Sequence, residues 1–361
     1  MRIFIDIGHP AHVHYIRNII YILSSRGHVF FVTARDKECT HALLEHYNID
    51  YVSRKRGSNS IFGKLFYLIS ADFFLWRKAR AFKPDVFLSF SSPYAAHTAA
   101  LTGRPHIVHD DTEQNKLIHL MYRPFTKTVI IPHCYESQIG KKQIRIPAYF
   151  ELFHLHPNYF KPDPGIYNEL GLEHGDPYVI FRFVSRGASH DYGSKGMNLE
   201  LKRQAVNKLS QICKVFISSE TELPPELEQH KLNIPPWRVH HALSFAQLLF
   251  GESATMTSEA AVLGTPAIYI NKHGRGYTRE EEEKYQLVHN FNESLSQQKE
   301  AIDKAVEIIE NKEHKKKLKE KHKKLLKDTI DPTKFSVWFI ENYPDSFRIM
   351  KEDKKYCERF N

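Results

Sequence analysis

Cysteine is scarce in this chain: four in 361 residues, at Cys39, Cys134, Cys213 and Cys357, with no CxxC pair. That excludes a disulfide-stapled scaffold and a cysteine-rich zinc site, and it suits a reducing cytoplasm. Long apolar runs are missing as well. The most apolar stretch, Ile61 to Trp76, contains Lys64 and Asp72 and is too short for a hydrocarbon core of about 30 Å. At the N-terminus, MRIFIDIGHP places Asp6 and His9 where a signal peptide needs an unbroken apolar segment. With 16 Gly and 18 Pro the chain is neither collagen-like nor of low complexity. No GxGxxG follows the first apolar run, which disfavours a dinucleotide site. Zinc knuckles, RNP aromatics and a distributed basic stripe are also lacking, so a nucleic-acid or polyanion binder without catalysis is the weakest of the function classes considered.

What is present is positive charge. Lys plus Arg number 51 against 42 Asp plus Glu, a net of +9. Residues 312–327, KEHKKKLKEKHKKLLK, hold nine Lys and two Glu, or +7, which leaves +2 for the remainder. The thin apolar stripe of Leu318, Leu325 and Leu326 reads as a solvated helix with one packed edge; contact with an anionic membrane is the sharper reading. The basicity is therefore local and does not by itself point to the functional site.

Short apolar runs alternate with helical periods, which implies βαβ units and parallel sheets. Strands are expected at Arg2–Ile7, His28–Thr33, Asp50–Ser53, Asp85–Phe90, Pro105–His109 and Thr128–Ile131, with helices over Val13–Ser25, Lys37–His46 and Ile61–Phe82. Five prolines between Pro147 and Pro177 break the pattern. It resumes with strands at Tyr178–Val184, Lys214–Ser218, Gln247–Phe250 and Pro266–Ile270 and helices over Leu199–Ser210 and Thr255–Leu263. The expected organisation is a first α/β domain over 1–150, a linker over 151–177, a second α/β domain over 178–330 and a helical tail over 331–361. Aromatic residues of the 61–76 stretch, followed by Arg77, Lys78 and Arg80, read either as a core helix or as a surface for a bilayer interface.

The most informative segment is Gly251-Glu252-Ser253-Ala254-Thr255, running on through Glu259 to Leu263-Gly264-Thr265-Pro266. It reads as strand, tight turn, helix, glycine stop and strand. Ser253, Ala254 and Thr255 would set amides and two hydroxyls at a helix N-terminus, a site for a diphosphate, and Glu259 could accept both hydroxyls of a ribose. In the competing reading Ser253 and Thr255 only cap the helix and Glu259 is a solvated acid. This segment resembles the donor loop of UDP-N-acetylglucosamine 2-epimerases and GT-B glycosyltransferases, in which a Gly-Asp/Glu-Ser turn holds the diphosphate and a Glu six residues after the Ser holds the ribose. With GHPAHVHYIRN, HDDTEQNK and RFVSRGASHDYGSKG in order before it, the chain resembles, over residues 1–330, an uncharacterised GT-B-like family of polysaccharide loci. The resemblance implies an α/β, GT-B-like fold, two doubly wound Rossmann-like domains facing a central cleft.

Three further segments carry candidate chemistry. Gly8-His9-Pro10-Ala11-His12-Val13-His14 follows the first strand; Gly8 and His12 are the preferred binding and catalytic positions there, with His9 and His14 behind them. A metal is disfavoured because the loop runs straight into a helix. Asp110, Asp111 and Glu113 follow the fifth strand. Mutual repulsion of such carboxylates can create a general base, and Asp111 lies nearest the epimerases' catalytic Glu. The epimerases' Gly-Asp-Thr motif is replaced by Ser89-Phe90-Ser91-Ser92-Pro93, which argues against epimerase chemistry; the plainer role for Asp110 or Asp111 is a helix cap. In the loop after Tyr178–Val184 the resemblance implies that Arg182 or Arg186 neutralises diphosphate charge, with His190 on the sugar or acceptor; pairing of Arg182 with a nearby acid is the alternative. Ser218-Ser219-Glu220, His240 and His241 are weaker candidates. The expected function is transfer of a sugar from a nucleoside diphosphate, with uridine implied by the resemblance, to a saccharide or lipid-linked acceptor in surface polysaccharide synthesis, on the inner face of the plasma membrane or free in the cytoplasm. The alternative is a UDP-sugar 2-epimerase. Neither design calls for a bound cofactor or metal.

Overall fold

A computed structural model describes residues 1–57, 61–184, 196–311 and 314–361, without the side chains of Ile61, Phe62, Lys64, Leu65, His314 and Lys315. The chain divides into two compact units: unit 1, Met1–His154 with Ile330–Asn361, and unit 2, Leu155–Thr329.

Unit 1 is built on seven parallel strands: β1 Arg2–Ile7, β2 Val29–Ala34, β3 Val52–Ser53, β4 Val86–Phe90, β5 His106–His109, β6 Thr128–Pro132 and β7 Gln143–Ile146, in the order β3-β2-β1-β4-β5-β6-β7. The central strands are buried along their whole length, as strands covered by helices on both faces must be. The order reverses between β1 and β4, and in such sheets ligands bind beyond the carboxyl ends at that point. Unit 2 has β8 Tyr178–Phe183, β9 Lys214–Ser219, β10 Leu248–Gly251, β11 Ala267–Ile270 and β12 Val288–Phe291, all parallel, in the order β12-β11-β10-β8-β9. Its reversal lies between β8 and β10. Its core joins the sheet to helices Leu199–Ser210 and Leu295–Glu310 through Leu201, Val206, Ala301 and Ile302.

Most expected strands lie within two residues of their observed bounds. The first helix starts at Pro10 rather than Val13, because His9 caps it and Pro10 occupies the first helical position. Two helices, Leu295–Glu310 and His314–Asp328, follow β12. Residues 331–361, expected to stand as a separate tail, instead complete unit 1. The Thr333 hydroxyl donates to the Phe153 carbonyl at 2.8 Å, the Ile330 amide to the Pro147 carbonyl at 2.8 Å, and Ser336 meets His109 at 3.1 Å.

The lysine-rich segment is part of unit 2. Leu318 and Leu325 are buried, and between them His322 Nε2 lies 2.7 Å from the Val262 carbonyl. Gly264, at φ +85°, ends helix Ala254–Leu263 against the same imidazole: a Cβ there would come within 2.9 Å of the ring. One edge of the basic helix therefore packs, while Lys316, Lys317, Lys319, Lys323, Lys324 and Lys327 are exposed.

Candidate functional site

In unit 2 the chain leaves β10 through a turn that admits no side chain at its first residue. A Cβ on Gly251 would lie 2.4 Å from the Arg182 carbonyl oxygen of the neighbouring strand. Gly251→Ala is thus expected to force β8 and β10 apart at a cost of about 1–3 kcal/mol, read as a fall of roughly 2–12 °C in the melting of unit 2 by calorimetry.

Ser253 then caps helix Ala254–Leu263, its Oγ accepting from the Met256 amide at 3.4 Å. The first intrahelical bond runs from the Thr257 amide to the Ser253 carbonyl, so the amides of Ala254 and Thr255 precede it and point out of the helix end. The capping role is therefore real, and it leaves a helix N-terminus, the kind of end that attracts anions, at the strand-order reversal. Glu259 is not a solvated acid. It is 5 % exposed, and its Oε1 lies 3.1 Å from Nε2 of buried His240 on helix Val239–Phe245. The carboxylate is thus oriented from behind by an imidazole. His241, the other weak candidate, accepts from the Asp163 amide at 3.0 Å and packs against Phe160 with its ring tilted by 36°; burial, then Arg238, lowers its pKa.

Glu252 was passed over in the sequence except as part of the turn. It is buried, and it accepts from the Met197 amide at 2.7 Å and the Val184 amide at 3.3 Å while Lys202 Nζ sits at 2.8 Å. One carboxylate thereby fastens the residue that follows β8 and Met197, two residues before helix Leu199–Ser210, to the turn after β10. An acid beside a Gly-x-Ser turn, with no ligand to explain it, was the only sequence signal for this role.

Arg182 has taken the plainer of its two expected roles. Its guanidinium donates to Ser218 Oγ at 2.9 Å and to Glu220 Oε1 at 2.5 Å, both on or just after β9. Its charge is balanced there by Glu220. Arg186 and His190 lie outside the described residues. At the carboxyl ends of β11 and β12, a cavity of about 290 Å³ is lined by Asn271, Lys272, Arg279, Glu282, Asn290 and Gln297, among others. Neighbouring strands are about 5 Å apart, so this cavity opens one and two strands from the Ser253 turn.

In unit 1 the three histidines after β1 serve different ends. His9 Nδ1 accepts from the Ala11 amide at 3.2 Å as the helix cap. His14 is buried and stacks on His154 with ring centroids 5.0 Å apart. His12 Nδ1 accepts from the Gly8 amide at 3.4 Å, with its ring beside Phe90. Burial, helped by the cations of His9, Lys37 and Arg54, holds the His12 pKa well below its ordinary value. The ring is neutral, and because Nδ1 accepts, its proton is on Nε2. In that state His12 is a hydrogen-bond donor rather than a base.

Beneath this loop, Asp6 and Arg54 form a buried pair, Nε to Oδ1 at 2.8 Å and Nη2 to Oδ2 at 3.1 Å. Arg54 Nη2 is also the nearest atom, at 3.8 Å, to where a Cβ on Gly8 would lie. After β5, the acids do not cluster. Asp110 is buried among donors: the Thr112 amide at 3.0 Å, His119 Nε2 at 2.9 Å, and the Tyr122 hydroxyl. Burial and Asp110 together hold the Tyr122 hydroxyl protonated. Glu113 turns away to accept from the Glu136 amide. Helix Lys116–Tyr122 starts at Lys116, too late for either aspartate to cap it. Asp111 is half-buried beside the Thr112 hydroxyl at 2.9 Å.

Comparison with known proteins agrees with this architecture. A solved UDP-GlcNAc 2-epimerase from Neisseria meningitidis, bound to UDP-GlcNAc, is similar with a TM-score of 0.63 at 12% identity, covering 88% of this chain and 94% of that one. S. aureus MnaA in a co-structure with UDP gives 0.69 at 11%, covering 96% and 97%. The spinosyn rhamnosyltransferase SpnG, complexed with spinosyn aglycone, gives 0.62 at 11%, covering 95% and 100%. At these identities the likeness shows the fold, shared by 2-epimerases and GT-B transferases. In sequence, an uncharacterised protein of Methanocaldococcus jannaschii is 22% identical over 279 residues, 74% of this chain and 81% of that protein. The model of the family described as protein of unknown function DUF354 matches residues 1–332, and the chain belongs to that family.

Proposed function

We propose that the protein is a sugar-nucleotide-dependent enzyme of the GT-B type, and within that class a glycosyltransferase. The observation that carries this reading is the helix that opens at Ser253 on the strand-order reversal of unit 2. Its first amides point outward, and a buried Glu259 on the same helix is oriented by His240. The helix end and the Ser253 and Thr255 hydroxyls take the diphosphate; Glu259 accepts from the ribose hydroxyls; the amide-rich cavity beside β11 and β12 suits a sugar. The donor's base is uracil in this reading, by analogy with the neighbours bound to UDP and UDP-GlcNAc.

Unit 1 receives the acceptor. Asp111, half-buried after β5, takes the proton of the attacking hydroxyl, and His12 donates its Nε2–H to an anionic oxygen. In calorimetry the wild type is expected to bind a UDP-hexose, with affinity at least tenfold weaker in Ser253→Ala and Glu259→Ala; wild-type affinity in both overturns the site. Incubation with UDP-GlcNAc alone is expected to leave the sugar unchanged, with UDP released only when a saccharide or lipid-linked acceptor is added. An epimer formed without acceptor would make the protein an isomerase.

A further inference from the structure

Helix Ile61–Phe82 is apolar on two sides. Ala71, Leu75, Ala79 and Phe82 are buried, with Phe74 packed against the same core. Phe66, Ile69 and Phe73, spaced by three and four, line the other side, and Phe66 is 74 % exposed. One packed face needs only one apolar stripe, so the second is unexplained by the fold.

It continues onto two more helices. The crossovers from β3 through β6 run in one direction along the sheet, and right-handed connections put Ile61–Phe82, Pro93–Leu101 and Lys116–Tyr122 on one face of it. His97 fastens the three together: its Nδ1 is 2.8 Å from Asp72, its Nε2 3.0 Å from the Met121 carbonyl, and its ring 4.8 Å from that of Phe125. Leu101, one turn past His97, is exposed, as are Leu117, Leu120 and Phe125. Of the thirteen large apolar side chains exposed among the described residues, seven stand on this face. Isolated exposed hydrophobes are ordinary; this concentration is the mark of an interaction surface.

Charge identifies the partner. Residues 66–82, 93–104 and 116–127 contain seven Lys and Arg and the single acid Asp72, a net of +6. Asp72 is itself bonded to His97. With the +7 of residues 312–327, these segments carry +13, and the rest of the chain is +9 − 13 = −4. A second copy docked by two-fold symmetry would set this cationic patch against itself. An anionic bilayer satisfies both features, accepting aromatic and aliphatic side chains at the headgroup boundary and pairing with the basic residues around them.

We propose that this face of unit 1, centred on Phe73, Leu101 and Leu120, seats the protein on an anionic lipid surface. No described helix is long and apolar enough to cross a membrane, so the contact is peripheral. It does not depend on the reaction assigned above. The test is flotation with vesicles of phosphatidylglycerol in phosphatidylcholine, and of phosphatidylcholine alone, at roughly 0.05 and 0.5 M salt, which shortens the Debye length severalfold. The full chain is expected to float with the anionic vesicles and at least tenfold less with the neutral ones, and to be partly released at high salt. A Phe73→Ser/Leu120→Ser variant with unchanged melting is expected to lose at least tenfold in partitioning. Arg77→Gln/Lys78→Gln is expected to weaken binding and reduce its salt dependence. Three results would overturn the proposal: no flotation of the wild type; undiminished flotation of the serine variant, which would assign binding to the lysine-rich helix of unit 2; or self-association in light scattering that the serine variant abolishes without any flotation, which would make the face a contact between copies.

Discussion

Arg54→Met is expected to cost about 3–5 kcal/mol, because it strands a carboxylate where water does not reach. Arg54 and Asp6 side chains are 2 % and 0 % exposed. Asp6 also accepts from the Thr33 hydroxyl at 2.8 Å and the Ser92 hydroxyl at 2.5 Å, while Arg54 donates to the Tyr67 hydroxyl at 3.0 Å and lies over the Tyr94 ring. Two hydroxyls cannot replace a bidentate cation. For a unit of this size each kcal/mol moves the midpoint by about 2–4 °C, so unit 1 should melt roughly 6–20 °C lower by calorimetry. Pairing Arg54→Met with Asp6→Asn removes the stranded charge and should recover part of the loss. A midpoint within 2 °C of wild type for Arg54→Met would refute the argument. The substitution also reaches the candidate site, since Arg54 is one of the cations that suppress His12 protonation; its removal should shift the His12 titration upward in NMR.

Acid should unfold unit 1 well before its carboxylates are neutralised. His106 and His109 are fully buried in β5, their pKa values pushed down to about 3, by burial alone at His109 and by burial followed by its neighbours His109 and His97 at His106. Both are neutral in the native state and titrate near 6.5 when unfolded, so the unfolded chain binds more protons throughout that interval. Stability is therefore full above pH 6.5 and falls as pH drops toward 3. At pH 5 each histidine costs about 2 kcal/mol, or about 4 kcal/mol together, a large share of an ordinary stability of about 5–15 kcal/mol. Buried His12 acts in the same direction. His97 opposes it: burial alone would lower its pKa, but the Asp72 bond and charge, with the Met121 carbonyl, raise it, so this partly buried pair offsets some of the loss. The midpoint of unit 1 is expected to fall by roughly 8–16 °C between pH 7.5 and 5. His109→Phe should have a flatter profile whatever its absolute stability. A wild-type midpoint that does not move across this range would sink the assignment of neutral buried histidines.

The sheets were legible because their strands are short, wholly apolar and separated by helices of the right period. What escaped had weak signals: edge strand β7 reads QIRI, β12 reads VHNF, and helix Pro93–Leu101 is alanine-rich and nearly featureless in periodicity, although Ser92 followed by Pro93 announces its start. At the candidate site, Ser253 and Glu259 could be found because both stand on one local strand–turn–helix. The pairings that support the sites could not, although His240 and Glu220 stand among the weaker candidates. His240 approaches Glu259 from another helix, Arg54 reaches Asp6 across 48 residues, and Glu220 meets Arg182 from the neighbouring strand. Spacing reveals what one element places together; pairing between elements is decided by the fold. The engagement of Arg182 by Glu220 is decided there, as is the surrounding of Asp110 by donors rather than by fellow acids.

The return of residues 330–361 to unit 1 also sets an order of events during synthesis. Unit 2 is continuous in sequence and is complete once Thr329 has been made. Unit 1 is not: the hydroxyl that meets His109 belongs to Ser336, 227 residues later. At translation rates of roughly 5–20 residues per second, the last 32 residues take about 2–6 s to appear. Through that interval the sheet that carries His12 and Asp111 lacks its closing helices, while the sheet that carries Ser253 and Glu259 already has every residue it needs. Unit 2 is therefore the first to be finished, and a ligand that binds it alone can stabilise it before unit 1 is complete.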